Sequence, residues 1–341
     1  MNVASPNQLK VVQLNAENLF LFLDSPDPQD WRNLSEKEWQ RLSQASVPNK
    51  ALSKVLWLAE SLLDIDADII CLNEVGGEES IRNFAKHFLK DQYTAHLIEG
   101  NSDRGIDIGY LVRKTLPWRF ELRTHKNRPL RFLYPHEEQS NAYHAGHAPE
   151  KIIKSHYFSR DCAELRVFSA GSERPAMILL LVHLKSKLDP DGIDPSGKGR
   201  RQAELRTVVE IYNEIRAEFT PKVPTLLAGD FNGCARQAQR AQEFADLDKT
   251  DLENVAELAG LSDEGSATQV LFARSGQVSV LEIDYIFVSP ELKPHLILEE
   301  CGPYRYRSDL KVALPLPKTF EQRTYLPSDH YPVVAKFKGF I

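Results

Sequence analysis

Residues 9–14, Leu-Lys-Val-Val-Gln-Leu, form a strand-like run that breaks off at Asn15-Ala16-Glu17-Asn18. A polar loop containing Asp and Pro is expected over 24–48. Leu52, Val55, Leu56, Ala59 and Leu63 then recur at the spacing of a helix face that ends near Asp64. Residues 68–72 read as a buried strand running into Asn73-Glu74-Val75. A second helix is expected over about 78–89, with strands at 93–98 and 108–113. Residues 124–157 read as a long, irregular, polar insertion. Further strands are expected at 164–168 and 177–183. A loop rich in Gly, Asp and Pro covers 188–199. A long helix follows, with Leu205, Val208, Tyr212, Ile215 and Phe219 on one face. Residues 224–228 form a strand ending at Gly229-Asp230-Phe231-Asn232, and late strands lie at 283–288 and 332–337.

Many strands, three or four helices and no obvious linker predict an α/β chain in which helices cover sheets. We expect a single domain over 1–341, with the insertion at about 124–157, although 341 residues would also accommodate two domains. No internal repeat or long low-complexity tract interrupts the pattern.

Composition narrows the class. Hydrophobic residues make up 42% and charged residues 26%, enough apolar content for a large core. The longest apolar stretch, 175–184, is shorter than the ~20 residues a membrane helix needs. Phe20-Leu21-Phe22-Leu23 is a short candidate for lipid contact. The opening residues lack a basic segment followed by an apolar core, so a cytoplasmic location is expected; a trimmed secreted form would look the same. Cys71, Cys162, Cys234 and Cys301 are scattered and read as free thiols rather than a disulfide framework or zinc site. The net charge of −6 argues against a protein that coats nucleic acid. It leaves room for an enzyme that holds phosphate through a metal and local cations, such as those in 113–114, 119–131 and 185–201.

Five apolar strands end in polar, acidic or histidine residues: Asn15-x-Glu17-Asn18, Asn73-Glu74, His183-Leu184-Lys185, Gly229-Asp230-Phe231-Asn232 and Ser328-Asp329-His330. Ligand crevices in α/β sheets lie at strand ends. Brought together, these ends make a pocket of carboxylates, amides and two imidazoles. Hard oxygen donors of this kind suit Mg²⁺ or Mn²⁺. Such an ion makes phosphorus more electrophilic and neutralises transition-state charge. A histidine held by an aspartate can bind the phosphate or move a proton.

The ordered set Asn15-x-Glu17, Glu74 after Cys-Leu-Asn, His183 after Leu-Leu-Leu-Val, Gly229-Asp230-Phe231-Asn232-Gly233, Ile283-Asp284-Tyr285-Ile286 and Ser328-Asp329-His330-Tyr331-Pro332 resembles the endonuclease/exonuclease/phosphatase (DNase I-like) superfamily. Each motif alone is weak; six in order are specific, and they span 11–337. The resemblance implies a four-layer α/β/β/α sandwich, two packed mixed sheets flanked by helices. It implies Glu74 as principal metal carboxylate, with Asn15, Glu17 and Asp329 as further ligands. The ion would be Mg²⁺, with Mn²⁺ and Ca²⁺ as alternatives. Asp230 and Asn232 match the pair that activates water and contacts phosphate. Asp284 matches the carboxylate behind His330, and His183 the second histidine of DNase I-like members. Asp107 is the candidate partner of His183. Finer features at 103–109, 159–161 and 183–203 resemble a bacterial nuclease-like branch. They suggest Asn18, Arg104, Arg160 and Lys185 as substrate contacts, the guanidinium groups suiting bidentate phosphate binding.

Several residues also have bland readings. His144 and His147 are expected to be exposed loop residues. Trp31 and Trp39 either stack on bases or pack against the first helix. The insertion is expected to wall the substrate cleft. The leading expectation is a metal-dependent nuclease acting on DNA or RNA, monomeric by default. The alternative is a phosphatase or phospholipase of the same fold, acting on an inositol phosphate, nucleotide or sphingolipid. A non-catalytic binding protein is disfavoured, because Glu74, His183, Asp230 and His330 are all in place.

Overall fold

A computed structural model describes residues 8–24, 31–189 and 192–339. In chain order its elements are β1 (Gln8–Leu19), α1 (Glu36–Gln40), α2 (Leu52–Ile65), β2 (Ile69–Val75), α3 (Gly77–Asn83), β3 (Tyr93–His96), β4 (Asp107–Arg113), β5 (Arg119–Thr124), α4 (Pro135–His144), β6 (Cys162–Phe168), β7 (Met177–His183) and α5 (Lys198–Glu218). They continue with β8 (Thr225–Asp230), β9 (Glu253–Asn254), α6 (Val255–Leu258), β10 (Gln269–Phe272), β11 (Val278–Leu281), β12 (Asp284–Val288), β13 (Gly302–Pro303), α7 (Phe320–Tyr325) and β14 (Val333–Lys338).

Two six-stranded mixed sheets face each other. The first runs β13-β14-β1-β2-β4-β3, the second β5-β6-β7-β8-β12-β9. Alternation along each strand explains the packing. Val11 on β1 and Cys71 on β2 turn inward, where they meet Leu179 of β7 and Leu226 of β8 in the layer between the sheets. The intervening residues Val12, Leu14, Ile70 and Leu72 face the other way, onto α2 and α3. The outer face of the second sheet packs on α5 through Leu205, Val208, Tyr212 and Ile215. The result is the expected four-layer α/β/β/α sandwich. Strands buried on both faces carry continuous apolar runs, as 177–182 does.

In each sheet the central pair is parallel: β1 with β2, and β7 with β8. Parallel neighbours end at the same edge. Asn15 therefore sits opposite Asn73, and His183 opposite Asp230. Antiparallel β12 enters at that edge, with Asp284 paired to Asp230.

The structure corrects several local expectations. The basic stretch at 119–124 is an edge strand, β5, whose alternating charges face solvent. The insertion is not wholly irregular, since it holds α4. That helix buries none of its residues, so it carries no apolar stripe for sequence reading to find. In α2 the buried face is Leu52, Val55, Leu58, Ala59, Leu62 and Ile65, and the helix stops at left-handed Asp66. Leu56 and Leu63 instead line an open depression of about 1130 Å³ on the outer side of α2, a space that holds none of the strand-end residues. Helix α3 runs on into a π-helical turn, Phe84–Phe88. Phe20 and Leu21 are buried rather than presented to lipid. Trp39 is fully buried, donates to the Lys50 carbonyl and packs edge-on against Trp31, so the packing reading holds for it. All four cysteines are free. Among the described residues, no helix is long and apolar enough to cross a membrane.

Candidate active site

The β1 and β2 ladder slips between Asn15 and Leu19, and the β2 and β4 ladder between Asn73 and Val75. At these irregularities Glu17, Asn18 and Glu74 take positive φ values of 49°, 54° and 59°; Asn232, after β8, does so at 54°. Backbone strain of this kind is of order 1–3 kcal/mol per residue and persists only where the surroundings impose it. Its concentration at one edge of the sandwich marks where strand ends have been turned to aim side chains. Gly229 serves the same edge. A Cβ there would lie 2.0 Å from the Val182 carbonyl oxygen, and its φ is +150°, so only glycine lets β8 run this close to β7 just before Asp230.

Six strand ends meet at this edge. The Asn15 carboxamide donates to Asp230 Oδ2 at 2.9 Å, and the Asn232 amide to Asp230 Oδ1 at 2.7 Å. His330 Nδ1 lies 2.7 Å from Asp284 Oδ2. His183 Nε2 lies 3.6 Å from Asp230 Oδ2 and 3.9 Å from Glu74 Oε1. Asn15, His183, Asp230, Asp284 and His330 are all buried. Asp230, Asp284 and His330 offer ligand atoms within 4.8 Å of one another.

Burial and charge set the protonation states. Burial pushes the Asp230 carboxyl well up from the usual carboxylate range, and Asp284 beside it adds to this. Burial alone would lower His330, but the Asp284 charge and hydrogen bond, with Asp329 and Asp230, hold its imidazole well above the ordinary value. His183 goes the other way: burial, Arg160, His330 and Arg104 push its imidazole well down. The two imidazoles of this edge are thus driven in opposite directions.

Glu74 is the half-open member. The Asn18 amide donates to its Oε2 at 3.1 Å, whereas its Oε1 accepts no hydrogen bond among the described residues. A free carboxylate oxygen is the hard donor chemistry a divalent cation needs, and the Asn15 carboxamide oxygen, which accepts from the Glu17 amide at 2.9 Å, has a second lone pair to offer. Glu17 does not fit the ligand role expected of it. Its carboxylate is held by Lys54 at 2.9 Å and by buried Lys50 at 3.3 Å, two ammonium groups that already neutralise it. Asp329 is partly exposed and lies 3.7 Å from His330 Nε2. Asp107 is not the partner of His183. Its Oδ1 accepts from the Gly100 amide at 2.7 Å, and His183 Nδ1 has no hydrogen-bond partner among the described residues. Asn18 Oδ1 accepts from Arg104 at 3.2 Å. Arg160 and Lys185 line, with Arg104, a cavity of about 460 Å³ beside the cluster. His147, in the insertion, is exposed and stacks on Tyr143.

Sequence reasoning missed Gln13 and Gln269 here. Gln13 Nε2 donates to Asn73 Oδ1 at 2.9 Å and to Asp284 Oδ1 at 3.2 Å, fixing the Asp284 carboxylate from across the sheets. The signal was a glutamine inside the apolar run Val11-Val12-Gln13-Leu14. The Gln269 carboxamide lies 2.8 Å from His330 Nε2, and Ser328 Oγ donates to the Asn15 carbonyl at 2.7 Å. Nothing in the spacing around Gln269 would have found it.

The family model of the Endonuclease/Exonuclease/phosphatase family matches residues 50–330. No curated protein sequence matches. Among solved structures, truncated TDP2 of Caenorhabditis elegans is similar with a TM-score of 0.56 at 15% identity, covering 97% of this chain and 98% of that one. D. rerio TDP2 complexed with a single-strand DNA product gives 0.54 at 16% identity, covering 97% and 99%. The human Nocturnin catalytic domain with bound sulfate gives 0.52 at 15% identity, covering 97% and 94%. At these identities the likeness is one of fold.

Proposed function

The chain belongs to the endonuclease/exonuclease/phosphatase family, and on that premise we propose that it is a divalent-metal-dependent phosphodiesterase acting on DNA or RNA. Members of this family are hydrolases of phosphoester bonds. The observation that carries the reading is the pairing of Asp284 with His330 at 2.7 Å, next to an Asp230 whose two oxygens are fixed by Asn15 and Asn232.

In this reading the His330 imidazolium, held by Asp284, contacts a non-bridging phosphoryl oxygen and balances the charge that grows on it. Gln269 Nε2, an N–H donor, lies 2.8 Å from His330 Nε2, so this contact forms while Nε2 is unprotonated and gives way as His330 protonates and the phosphate arrives. Asp230, whose raised proton affinity makes it a better base than an ordinary carboxylate, takes the proton of the attacking water. Asn15 and Asn232 aim it. Neutral His183 stands against Asp230 and Glu74 and orients the leaving side of the phosphate. A divalent cation, held by Glu74 with the Asn15 amide, would polarise the phosphoryl oxygen and stabilise the leaving oxyanion. The clustered Asp230, Asp284 and His330 make a poorer cation site, because both Asp284 oxygens already hold hydrogen bonds, from Gln13 and His330. D. rerio TDP2, solved with a single-strand DNA product, supports a polynucleotide substrate for this fold.

The test is hydrolysis of plasmid DNA, single-stranded DNA and RNA beside a panel of phosphomonoesters, with Mg²⁺, Mn²⁺ or chelator, and Asp230→Ala as control. Metal-dependent polynucleotide cleavage, lost in the control, is the expected result. Phosphate release from a small monoester, with nucleic acid untouched, would overturn the polynucleotide reading.

A further inference from the structure

Arg160 is an anomaly. Its side chain is about nine-tenths buried (6% exposed), yet it has no ion pair within 4.0 Å among the described residues. Its Nε has no hydrogen-bond partner, and its one bond is a long 3.3 Å contact to the neighbouring Ser159 hydroxyl. A buried guanidinium without a counter-ion is costly. Such an arrangement persists where an anion is meant to arrive.

The surroundings agree. Arg160 lines the 460 Å³ cavity together with Arg104, Lys185, Arg200 and the ring of Tyr134. Arg200 Nε makes no hydrogen bond among the described residues, though it lies 3.7 Å from Glu204 Oε1 and the guanidinium donates to the Tyr157 carbonyl at 2.9 Å; Lys185 Nζ bonds carbonyl oxygens, those of Leu188 and Ser186. Asp103 also lines the cavity, and three other nearby carboxylates accept from backbone amides. Asp189 accepts from the Ile193 and Asp194 amides, Asp194 from those of Gly199 and Arg200, and Glu204 from those of Ser159 and Lys185. Arg104, Arg160 and Lys185 thus face one space with no carboxylate within 4.0 Å among the described residues, and Arg200, paired with Glu204, stands beside them.

The cavity adjoins the cluster. Arg104 reaches Asn18, whose amide holds Glu74, and Lys185 stands two residues beyond His183. Arg160 feels the charge of Glu204 first, then those of Glu74 and Asp230, without touching any of the three.

We infer that this cavity is a second phosphate subsite, in which Arg104, Arg160, Lys185 and Arg200 hold a phosphate of the nucleotide next to the scissile bond. The inference rests on the phosphodiesterase reading and names its substrate class: a chain of at least two phosphates, not an isolated ester. Planar guanidinium groups suit bidentate capture of the phosphate oxygens. Tyr134, the residue capping α4, gives the insertion a place in the wall and an aromatic face beside the phosphate.

Two arms test it. In the first, hydrolysis of pTpTp is measured against TpT, which carries a single phosphate. Wild type is expected to prefer pTpTp by about 100-fold in kcat/KM, and Arg160→Gln to lose most of that preference. In the second, inorganic pyrophosphate is titrated into the chelator-treated protein by calorimetry. It is expected to bind wild type and to bind Arg160→Gln at least about 10-fold more weakly. The unliganded variant is expected to melt no lower than wild type, because a lone buried charge has been removed. Equal cleavage of the two dinucleotides, or pyrophosphate affinity unchanged in the variant, overturns the subsite. A lower melting temperature with unchanged affinity would make Arg160 purely structural. If Arg160→Gln does not fold, Arg200→Gln takes its place in both arms. If neither dinucleotide is cleaved, the phosphodiesterase reading fails and the pyrophosphate arm alone decides the subsite. If TpT and pTpTp are cleaved alike, the phosphodiesterase reading stands without it.

Discussion

Asn15, at the edge of the first sheet, donates its carboxamide N–H to Asp230 Oδ2, at the edge of the second, across 2.9 Å. The two sheets therefore meet at a carboxylate that our mechanism uses as a base, and their relative position sets its aim. Asn15→Ala removes the donor and leaves a buried oxygen short of one hydrogen bond, at about 1–2 kcal/mol. Turnover is expected to fall about 10- to 100-fold. Asn15→Asp is expected to be worse, since it sets a third carboxylate against Asp230 and Asp284. Rates and denaturation midpoints of the two variants, measured side by side, check this order. An Asn15→Asp enzyme faster than Asn15→Ala would count against the role given to Asp230.

Asp284 and His330 are expected to act as a unit. His330→Ala is predicted to lower kcat about 10²- to 10⁴-fold with the fold intact, and Asp284→Asn to lower it nearly as far. The double variant should be scarcely slower than the worse single one, because each residue works through the other. Single-turnover rates on a defined oligonucleotide provide the measurement, and multiplicative effects would separate the two roles.

Glu74 and Glu17 share a sequence neighbourhood but have different partners. Glu74→Gln is expected to raise the metal concentration for half-maximal activity at least about 10-fold, with little change in stability. Glu17→Gln is expected to do the reverse. It leaves the buried Lys50 ammonium without its carboxylate, a loss of roughly 3 kcal/mol or more. Metal titrations and denaturant melts on both variants tell ligand from counter-ion.

Acid sensitivity is expected at a site remote from the chemistry. Burial alone would raise Glu164, but hydrogen bonds from His125 and Arg166 outweigh it and hold the carboxyl below the usual range. A carboxylate with a depressed folded pKa contributes stability above its unfolded value, and that stability is lost as pH falls through the folded one. Melting temperature should therefore decline from about pH 4 downward. Glu164→Gln should lower stability at neutral pH and flatten that decline. An equally steep acid limb in the variant would place the sensitivity elsewhere.

The sandwich and the strand-end cluster were legible in the sequence for one physical reason. A strand buried on both faces is mostly apolar, with rare paired exceptions such as Gln13 and Glu164, so the residue where polarity returns in earnest marks its end. That is why Asn15, Glu74, His183 and Asp230 could be picked out. What failed depended on partners distant in sequence. Nothing near Glu17 announces that Lys50 and Lys54 will claim it, nor does anything near Asp107 show that Gly100 will. Helix α4 was invisible because it buries nothing. Gln269 reaches His330 only because the hairpin of β10 and β11 folds over it.

The topology also bears on the order of events during synthesis. β14, which carries His330 into place, pairs with β1 at the far end of the described chain, and Asn15 lies on β1. Contacts of such long sequence separation form late. A partly made chain cannot close its first sheet, so it cannot bring His330 to Asp230. Among the described residues, the cluster of Asn15, Asp230 and His330 is therefore complete only once β14 has paired with β1.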